Sequence, residues 1–156
     1  MVMHRFNRWL YRGHRTNPIG KVLTTFWARF SSLGLTHNYM ETLEVSGRKS
    51  GRTISLPVVI AIVDGQRYLV SMLGENVQWV RNVRAANGRA ALRSGRLEQI
   101  RLEEVAVEQR ARILKTYLRL APGARPHIPV SKDAPLAEFE RIAADYPTFR
   151  VISAQD

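Results

Sequence analysis

Apolar residues recur at helical spacing in the first 35 residues. Two basic amphipathic helices are predicted there, the second opened by Asn17 as N-cap and Pro18 in its first turn. The apolar stripe of this second helix follows an i, i+3, i+4, i+7 period, through Ile19, Val22, Leu23, Phe26, Trp27 and Phe30. The opposite face carries polar and basic residues, so the segment is predicted to have one apolar and one cationic face.

From residue 41 the pattern changes to short β-branched runs between turn residues. Strands are predicted at 42–45, 57–63, 67–72, 89–93 and 97–105. Asp64-Gly65 and Ser94-Gly95 are typical hairpin turns. Helices are predicted at 76–86, at 108–120 and after Asp133 as an N-cap. Because parallel strands would need a helix between nearly every pair, this order favours a small antiparallel barrel.

The composition of the 156-residue chain is that of one soluble domain, with 45% hydrophobic and 24% charged residues. No stretch approaches the roughly 18 apolar residues of a spanning helix, and we expect no secretory signal. Cysteine is absent, which excludes disulfides and thiolate chemistry.

The formal charge of +11 is concentrated in the first half of the chain, where residues 1–40 carry six cations and no acid. This favours an anionic partner: a nucleic acid, a membrane surface or a polyanionic small molecule. The first 35 residues have the pattern of an interfacial membrane helix, or of a helix packed on the barrel with its arginines in solvent. A recognition motif for nucleic acid is missing, so we expect no nucleic-acid partner.

Two segments could bind a ligand. Gly47 to Arg52 places backbone amides and cations on a turn between strands, which suits either a phosphate or carboxylate ligand or an ordinary solvated loop. The second segment leaves a strand at Ser71 and enters the helix that carries Trp79 and Asn82. Trp79 is either a core anchor or a ligand contact, and Asn82 in mid-helix is expected to hydrogen-bond a neighbour.

Metal and nucleophile signatures are missing. The four histidines lack metal-ligand spacing, and no G-x-S-x-G elbow is present. We therefore expect no metal site and no serine hydrolase. The histidines are His4, His14, His37 and His127.

The run LEVSGRKSGRTISLPVVIAIVDGQRYLVSMLGENVQWVRNVRA resembles the deazaflavin-dependent nitroreductase family. These are actinobacterial split-β-barrel proteins, with an FMN-binding-like fold, that use the reduced deazaflavin coenzyme F-420. The resemblance covers residues 41–93 and extends to residues 145–149. Its specific features are G-R-K-S-G, a proline six residues on, and W-x-x-N after the hairpin.

The resemblance implies an α+β, mainly β fold: a six- or seven-stranded split β-barrel with peripheral helices in one domain, 1–156. Residues 1–35 would form the N-terminal helices and residues 41–105 the barrel with its inserted helix. Residues 106–156 would supply C-terminal helices and a substrate-covering segment.

The resemblance also implies the site. Arg48, Lys49 and Ser50, with Arg52 beside them, would hold the anionic tail of the coenzyme. The ring pocket would be formed by Pro57, Val58, Ser71, Met72, Leu73, Gly74, Trp79 and Asn82. Tyr146 and Phe149 would face the substrate. Tyr146 or water would supply the proton, the alternative being a buried structural tyrosine.

The implied activity is hydride transfer from reduced F-420 to a quinone-like, nitro or unsaturated acceptor, with the chemistry residing in the cofactor. A non-catalytic carrier of deazaflavin, flavin or fatty acid is the alternative, and flavin mononucleotide is the second choice of cofactor. We expect a cytoplasmic monomer or homodimer, in contact with the inner membrane face if residues 1–35 bind lipid. The chain departs from the family at Leu73-Gly74-Glu75, where a lysine and a longer loop are common, and at Phe149, where a relative has tyrosine.

Overall fold

Seven antiparallel strands form one sheet in the part of the chain that this computed structural model describes, residues 39–154. The strands are β1 (Met40–Ser46), β2 (Thr53–Val59), β3 (Ala61–Val63), β4 (Gln66–Val70), β5 (Arg89–Ser94), β6 (Arg96–Glu104) and β7 (Thr148–Ser153). Their order across the sheet is β2-β1-β5-β6-β7-β4-β3. The helices are α1 (Gln78–Ala85), α2 (Ala111–Leu120) and α3 (Leu136–Ile142).

The two edges of the sheet are joined by a single residue. β2 and β3 lie at opposite edges, yet only Ile60 separates them along the chain. One residue spans no more than about 3.6 Å, so the sheet must curl until its edges meet. This confirms the predicted barrel with peripheral helices.

The inside of the barrel holds one of the two hydrophobic cores. Alternate residues of each strand point inward, such as Leu43 and Val45 on β1 and Ile100 and Leu102 on β6. Helix α1 adds Trp79, Val80 and Val83 to the same core. The helix therefore has a fixed position against the barrel, which positions the residues on its other faces.

The second core lies between the barrel and helices α2 and α3. Leu114, Tyr117 and Leu118 of α2 and Phe139 of α3 pack with residues of β2, β3 and β4. Burial raises the pKa of Tyr117 above its ordinary range. Its phenol therefore stays neutral at physiological pH.

The structure differs from the predicted elements in three places, apart from shifts of a few residues at element ends. The predicted strand 57–63 is two strands, because the chain crosses from one sheet edge to the other at Ile60. A seventh strand, β7, lies in the C-terminal part, where helices and a covering segment were predicted. Helix α3 begins at Leu136 after Pro135 as N-cap, three residues after the predicted cap Asp133. The fixed φ of Pro135 suits this boundary.

The helices predicted within residues 1–35 lie outside the described residues. Among the helices of residues 39–154, none combines the length and the apolar content needed to cross a membrane.

Candidate functional site

The β1–β2 loop, residues 47–52, is a tight turn that presents cations to solvent. The Gly47 N–H donates to the Arg52 carbonyl at 2.8 Å, and the Gly51 N–H donates to the Gly47 carbonyl at 2.8 Å. Gly51 has a φ of +74°, which favours glycine. Lys49 and Arg52 are exposed, and the hydroxyl of exposed Ser50 accepts the Arg52 N–H at 3.3 Å.

Asn82 of α1 holds this loop against the barrel. Its side chain is buried, with a relative exposure of 1%, and its Oδ1 accepts a hydrogen bond from Arg48 Nη1 at 2.7 Å. The Arg48 backbone N–H also points at Oδ1, at 3.5 Å. This confirms that Asn82 hydrogen-bonds a neighbour, as its position in mid-helix predicted.

The amide nitrogen of Asn82, Nδ2, differs from the oxygen in its hydrogen bonding. Within the part of the chain that the structure describes, its Nδ2 is buried and has no hydrogen-bond partner. Leaving such a donor unpaired costs about 1–3 kcal/mol. An acceptor oxygen of a bound molecule would satisfy it, so Nδ2 is a candidate contact for a ligand.

The turn after β4 forms a second part of the candidate site. The Ser71 hydroxyl donates to the Gly74 carbonyl at 2.6 Å, and the Ser71 N–H donates to the Pro147 carbonyl at 2.9 Å. Gly74 has a φ of +93°, so a side chain there would be strained. Met72 is half-buried and Leu73 exposed. The turn thus presents an apolar tip and is attached to the segment before β7.

Pro57 and Val58 face different surfaces. They are neighbours on the edge strand β2, where side chains alternate between the two faces of the sheet. Val58 packs against the core inside the barrel, so Pro57 points outward. The structure therefore does not bring these two predicted ring contacts to one surface.

Trp79 and Phe149 form an aromatic pair in the barrel core. Their ring centroids are 5.6 Å apart at 55°, and their relative exposures are 8% and 1%. The structure places both as core anchors, in agreement with the structural alternative for Trp79. The predicted substrate contact of Phe149 stays a prediction, and its ring is buried by other core residues.

Tyr146 lies at the junction before β7. Its hydroxyl donates to the His127 carbonyl at 2.9 Å. Burial, with a smaller contribution from the charge of Asp145, raises the pKa of the phenol. The group is therefore protonated at physiological pH, and its proton is held by a backbone carbonyl.

Arg110 is a buried cation that the sequence pattern did not indicate. Its guanidinium donates to the Val105 carbonyl at 2.9 Å and to the Ala143 carbonyl at 3.1 Å. It also reaches the Tyr146 carbonyl at 3.4 Å. Arginines are mostly exposed, and nothing in the local periodicity distinguishes this one. It fixes the turn that carries Tyr146.

A charged cluster lies inside the barrel at the end away from the 47–52 loop. Arg67 donates to both carboxylate oxygens of Glu98 at 2.8 Å, and this contact lowers the pKa of Glu98. Burial raises the pKa of the neighbouring Glu41. The cluster and the basic loop lie at opposite ends of β1, so they are separate features.

Two cavities that described residues line lie elsewhere. One of about 620 Å³ lies beside α2 and α3, and one of about 570 Å³ lies beside β5. No predicted coenzyme-binding residue lines either of them. Within residues 39–154 no group of three or more His, Cys, Asp or Glu could hold a metal ion.

Comparison with known proteins gives one family and several solved structures with the same fold. The model of a family described as F-420H(2)-dependent quinone reductase matches residues 21–134. No curated protein matches the chain.

Three solved structures share the fold at low identity. A structure described as an F-420-H2 dependent reductase is 18% identical, with 73% of this chain and 94% of that chain covered and a TM-score of 0.53. An FAD-binding protein from Mesorhizobium loti is 20% identical, with 80% and 87% covered and a TM-score of 0.50. A structure described as a domain-swapped dimer is 17% identical, with 82% and 98% covered and a TM-score of 0.51. These likenesses agree with the split β-barrel.

Proposed function

The chain belongs to the F-420H(2)-dependent quinone reductase family, and from that premise we propose that it transfers a hydride to a hydrophobic, quinone-like acceptor. It is an oxidoreductase whose coenzyme is F-420, in agreement with the predicted enzyme class and cofactor. Nitro and unsaturated compounds are the other acceptor classes. The observation that carries the proposed site is the orphaned Nδ2 of Asn82 beside the basic loop.

The residues present fit this coenzyme. Its tail carries a phosphate and several carboxylates, as the resemblance implies. Lys49 and Arg52 are exposed cations on the loop that Asn82 anchors. A buried donor next to exposed cations suits an anionic oxygen better than it suits an apolar ligand.

Each part of the site has a separate task in this proposal. The bound coenzyme supplies the hydride. Lys49 and Arg52 neutralise the anionic tail of the coenzyme. Asn82 donates a hydrogen bond to the coenzyme, and the 71–74 turn presents apolar surface. Tyr146 holds a proton on its phenol oxygen, but that proton is directed at the His127 carbonyl. Tyr146 donates it only if that bond breaks, and water is the alternative donor.

Turnover with different acceptors tests the proposal. The full chain is loaded with reduced F-420, and oxidation is followed with a lipophilic naphthoquinone, a nitroaromatic and an enone. We expect the quinone to give the largest kcat/KM. If the chain binds reduced F-420 but none of the acceptors oxidises it, the alternative of a non-catalytic carrier is favoured. If flavin mononucleotide quenches the fluorescence of the protein and micromolar F-420 does not, the assignment of F-420 as the cofactor is wrong.

Replacing Lys49 by alanine should weaken binding of the complete coenzyme about 10- to 150-fold, because a charge-assisted bond to the tail is worth about 1.5–3 kcal/mol. A truncated deazaflavin that lacks phosphate and glutamates should bind the variant and the wild type equally. Fluorescence titration measures both. Lys132→Ala, which removes a lysine from another surface loop, is the matched control. Equal losses for both coenzyme forms would mean that Lys49 supports the fold instead.

We also propose that residues 1–35 contact an anionic membrane surface, where a lipophilic quinone would be found. Six cations without an acid accompany an aromatic-rich apolar stripe in this segment. The full chain should bind anionic vesicles more tightly than neutral ones. Binding should weaken with salt, since exposed charges are screened within about 10 Å at 0.1 M. Sedimentation with vesicles measures this, and equal binding to both vesicle types would contradict it.

A homodimer is the assembly that we propose, supported by the fold likeness to a structure described as a domain-swapped dimer. Light scattering of the full chain distinguishes it from the monomer.

A further inference from the structure

We propose that Arg48 is a positioning residue: it turns the Asn82 carboxamide so that Nδ2 is held as a buried donor for an acceptor oxygen of the coenzyme. The inference rests on the proposed function. It also assigns Arg48 a different task from its neighbours Lys49 and Arg52, although all three cations share one loop.

The orientation of the Asn82 amide follows from hydrogen-bond chemistry. An arginine side chain can only donate hydrogen bonds, and a backbone N–H can likewise only donate. Arg48 directs its Nη1 at the amide from 2.7 Å and its backbone nitrogen from 3.5 Å. The atom that meets them must accept, so it is Oδ1. A flipped amide would place its own donor against two other donors, which fixes Nδ2 on the far side.

On the far side, residues 39–154 offer no acceptor. Nδ2 is buried without a partner among the described residues, on a side chain that is 1% exposed. The Asn82 backbone carbonyl is itself occupied, since it accepts the Ala86 N–H at 3.0 Å. Arg48 thus maintains an orientation that leaves a buried donor unsatisfied. A bound acceptor oxygen would form a hydrogen bond with Nδ2 and so remove the free-energy cost of the unpaired donor.

The three cations of the loop differ in where they point. Arg48 is half-buried with its Nη1 on Asn82, whereas Lys49 and Arg52 are exposed. Lys49 and Arg52 are free to neutralise charge directly. Arg48 acts through Asn82, so its effect on binding should depend on whether Asn82 is present.

A double-mutant cycle tests this dependence. Coenzyme affinity is measured by fluorescence quenching for the full-length wild type, Arg48→Met, Asn82→Ala and the double variant. Each single variant should bind about tenfold more weakly, and the double variant no more weakly than Asn82→Ala. If Arg48→Met costs its full tenfold in the Asn82→Ala background, Arg48 binds the coenzyme independently and the inference is wrong.

Asn82→Asp separates orientation from folding. The aspartate keeps an acceptor for Arg48 and nearly the same shape, but it replaces the Nδ2 donor by a second acceptor. We expect its Tm to equal or exceed that of the wild type while binding falls at least tenfold. Arg48→Lys, which keeps one donor for Oδ1, should bind better than Arg48→Met. Wild-type affinity in Asn82→Asp would overturn the assignment of Nδ2 as the donor.

The truncated coenzyme locates the acceptor. A loss in Asn82→Asp that persists with the truncated form places the acceptor oxygen on the ring. A loss seen only with the complete coenzyme places it on the tail, and no loss with either form overturns the inference. Failure of the wild type to bind F-420 at all would instead reject the proposed function, so the two failures are distinguishable.

Discussion

Replacing Phe149 by alanine is expected to lower the free energy of unfolding by about 3–5 kcal/mol, as for other buried aromatic residues. The ring is 1% exposed and lies 5.6 Å from that of Trp79. It belongs to β7, which is hydrogen-bonded between β6 and β4, so the cavity cannot close by a shift of an edge strand. Denaturant unfolding followed by tryptophan fluorescence measures the loss.

Two other substitutions at Phe149 separate packing from substrate contact. Phe149→Leu keeps most of the apolar volume and should lose far less stability than Phe149→Ala. Phe149→Tyr introduces the residue of a relative and buries a hydroxyl without an assured partner. If Phe149→Ala kept its stability but lost kcat/KM for the quinone, the ring would be a substrate contact and not a core anchor.

The hairpin and the inserted helix could be predicted because their signals are local. Asp64-Gly65 predicts a turn with two left-handed residues, and the φ values are +52° and +77°. Helix α1 ends near Asn87-Gly88, where both residues again have positive φ. At Gly88 an added Cβ would meet the Leu102 carbonyl, so only glycine fits this close approach.

The residue at which the chain crosses from one sheet edge to the other could not be predicted, because the crossing leaves no trace in local hydropathy. Residues 57–63 form one apolar run, and Ile60 is buried like its neighbours. Nothing in the run shows that the chain changes sheet edges there. In β7, by contrast, buried Phe149 and Val151 alternate with half-buried Arg150, so period-2 alternation could have indicated this strand.

The prediction of the candidate site depended on the family resemblance, because its residues come together only through long-range contacts that leave no local signal. Arg48 and Asn82 are 34 residues apart and meet only in the folded barrel. Helix propensity shows that Asn82 is unfavourable in mid-helix, which predicts a hydrogen bond to a neighbour, but it does not predict which residue that neighbour is. For buried Arg110 the sequence gives no such indication, since three of its acceptors are backbone carbonyls and its side-chain acceptor, Glu104 at 3.3 Å, comes from another element.

Replacing Arg110 by methionine is expected to cost about 3–5 kcal/mol of folding free energy, comparable to breaking a buried charged network. Methionine fills the space but donates nothing to the carbonyls of Val105, Ala143 and Tyr146. At about 2–4 °C per kcal/mol, thermal unfolding should shift by roughly 6–20 °C. The same turn leads to Pro147, whose carbonyl holds Ser71, so the 71–74 turn should loosen as well.

Arg150→Met is the matched control for Arg110→Met, because Arg150 pairs with Glu103 at 2.8 Å on the surface, where its side chain is 41% exposed. Such exposed pairs are worth about 0–1 kcal/mol, so this variant should unfold close to the wild type. Arg110→Lys should fall between the two, since one ammonium cannot reach all three carbonyls with the geometry of a guanidinium. Similar stabilities for Arg110→Met and Arg150→Met would mean that the carbonyls find water, and that Arg110 does not hold the turn before β7.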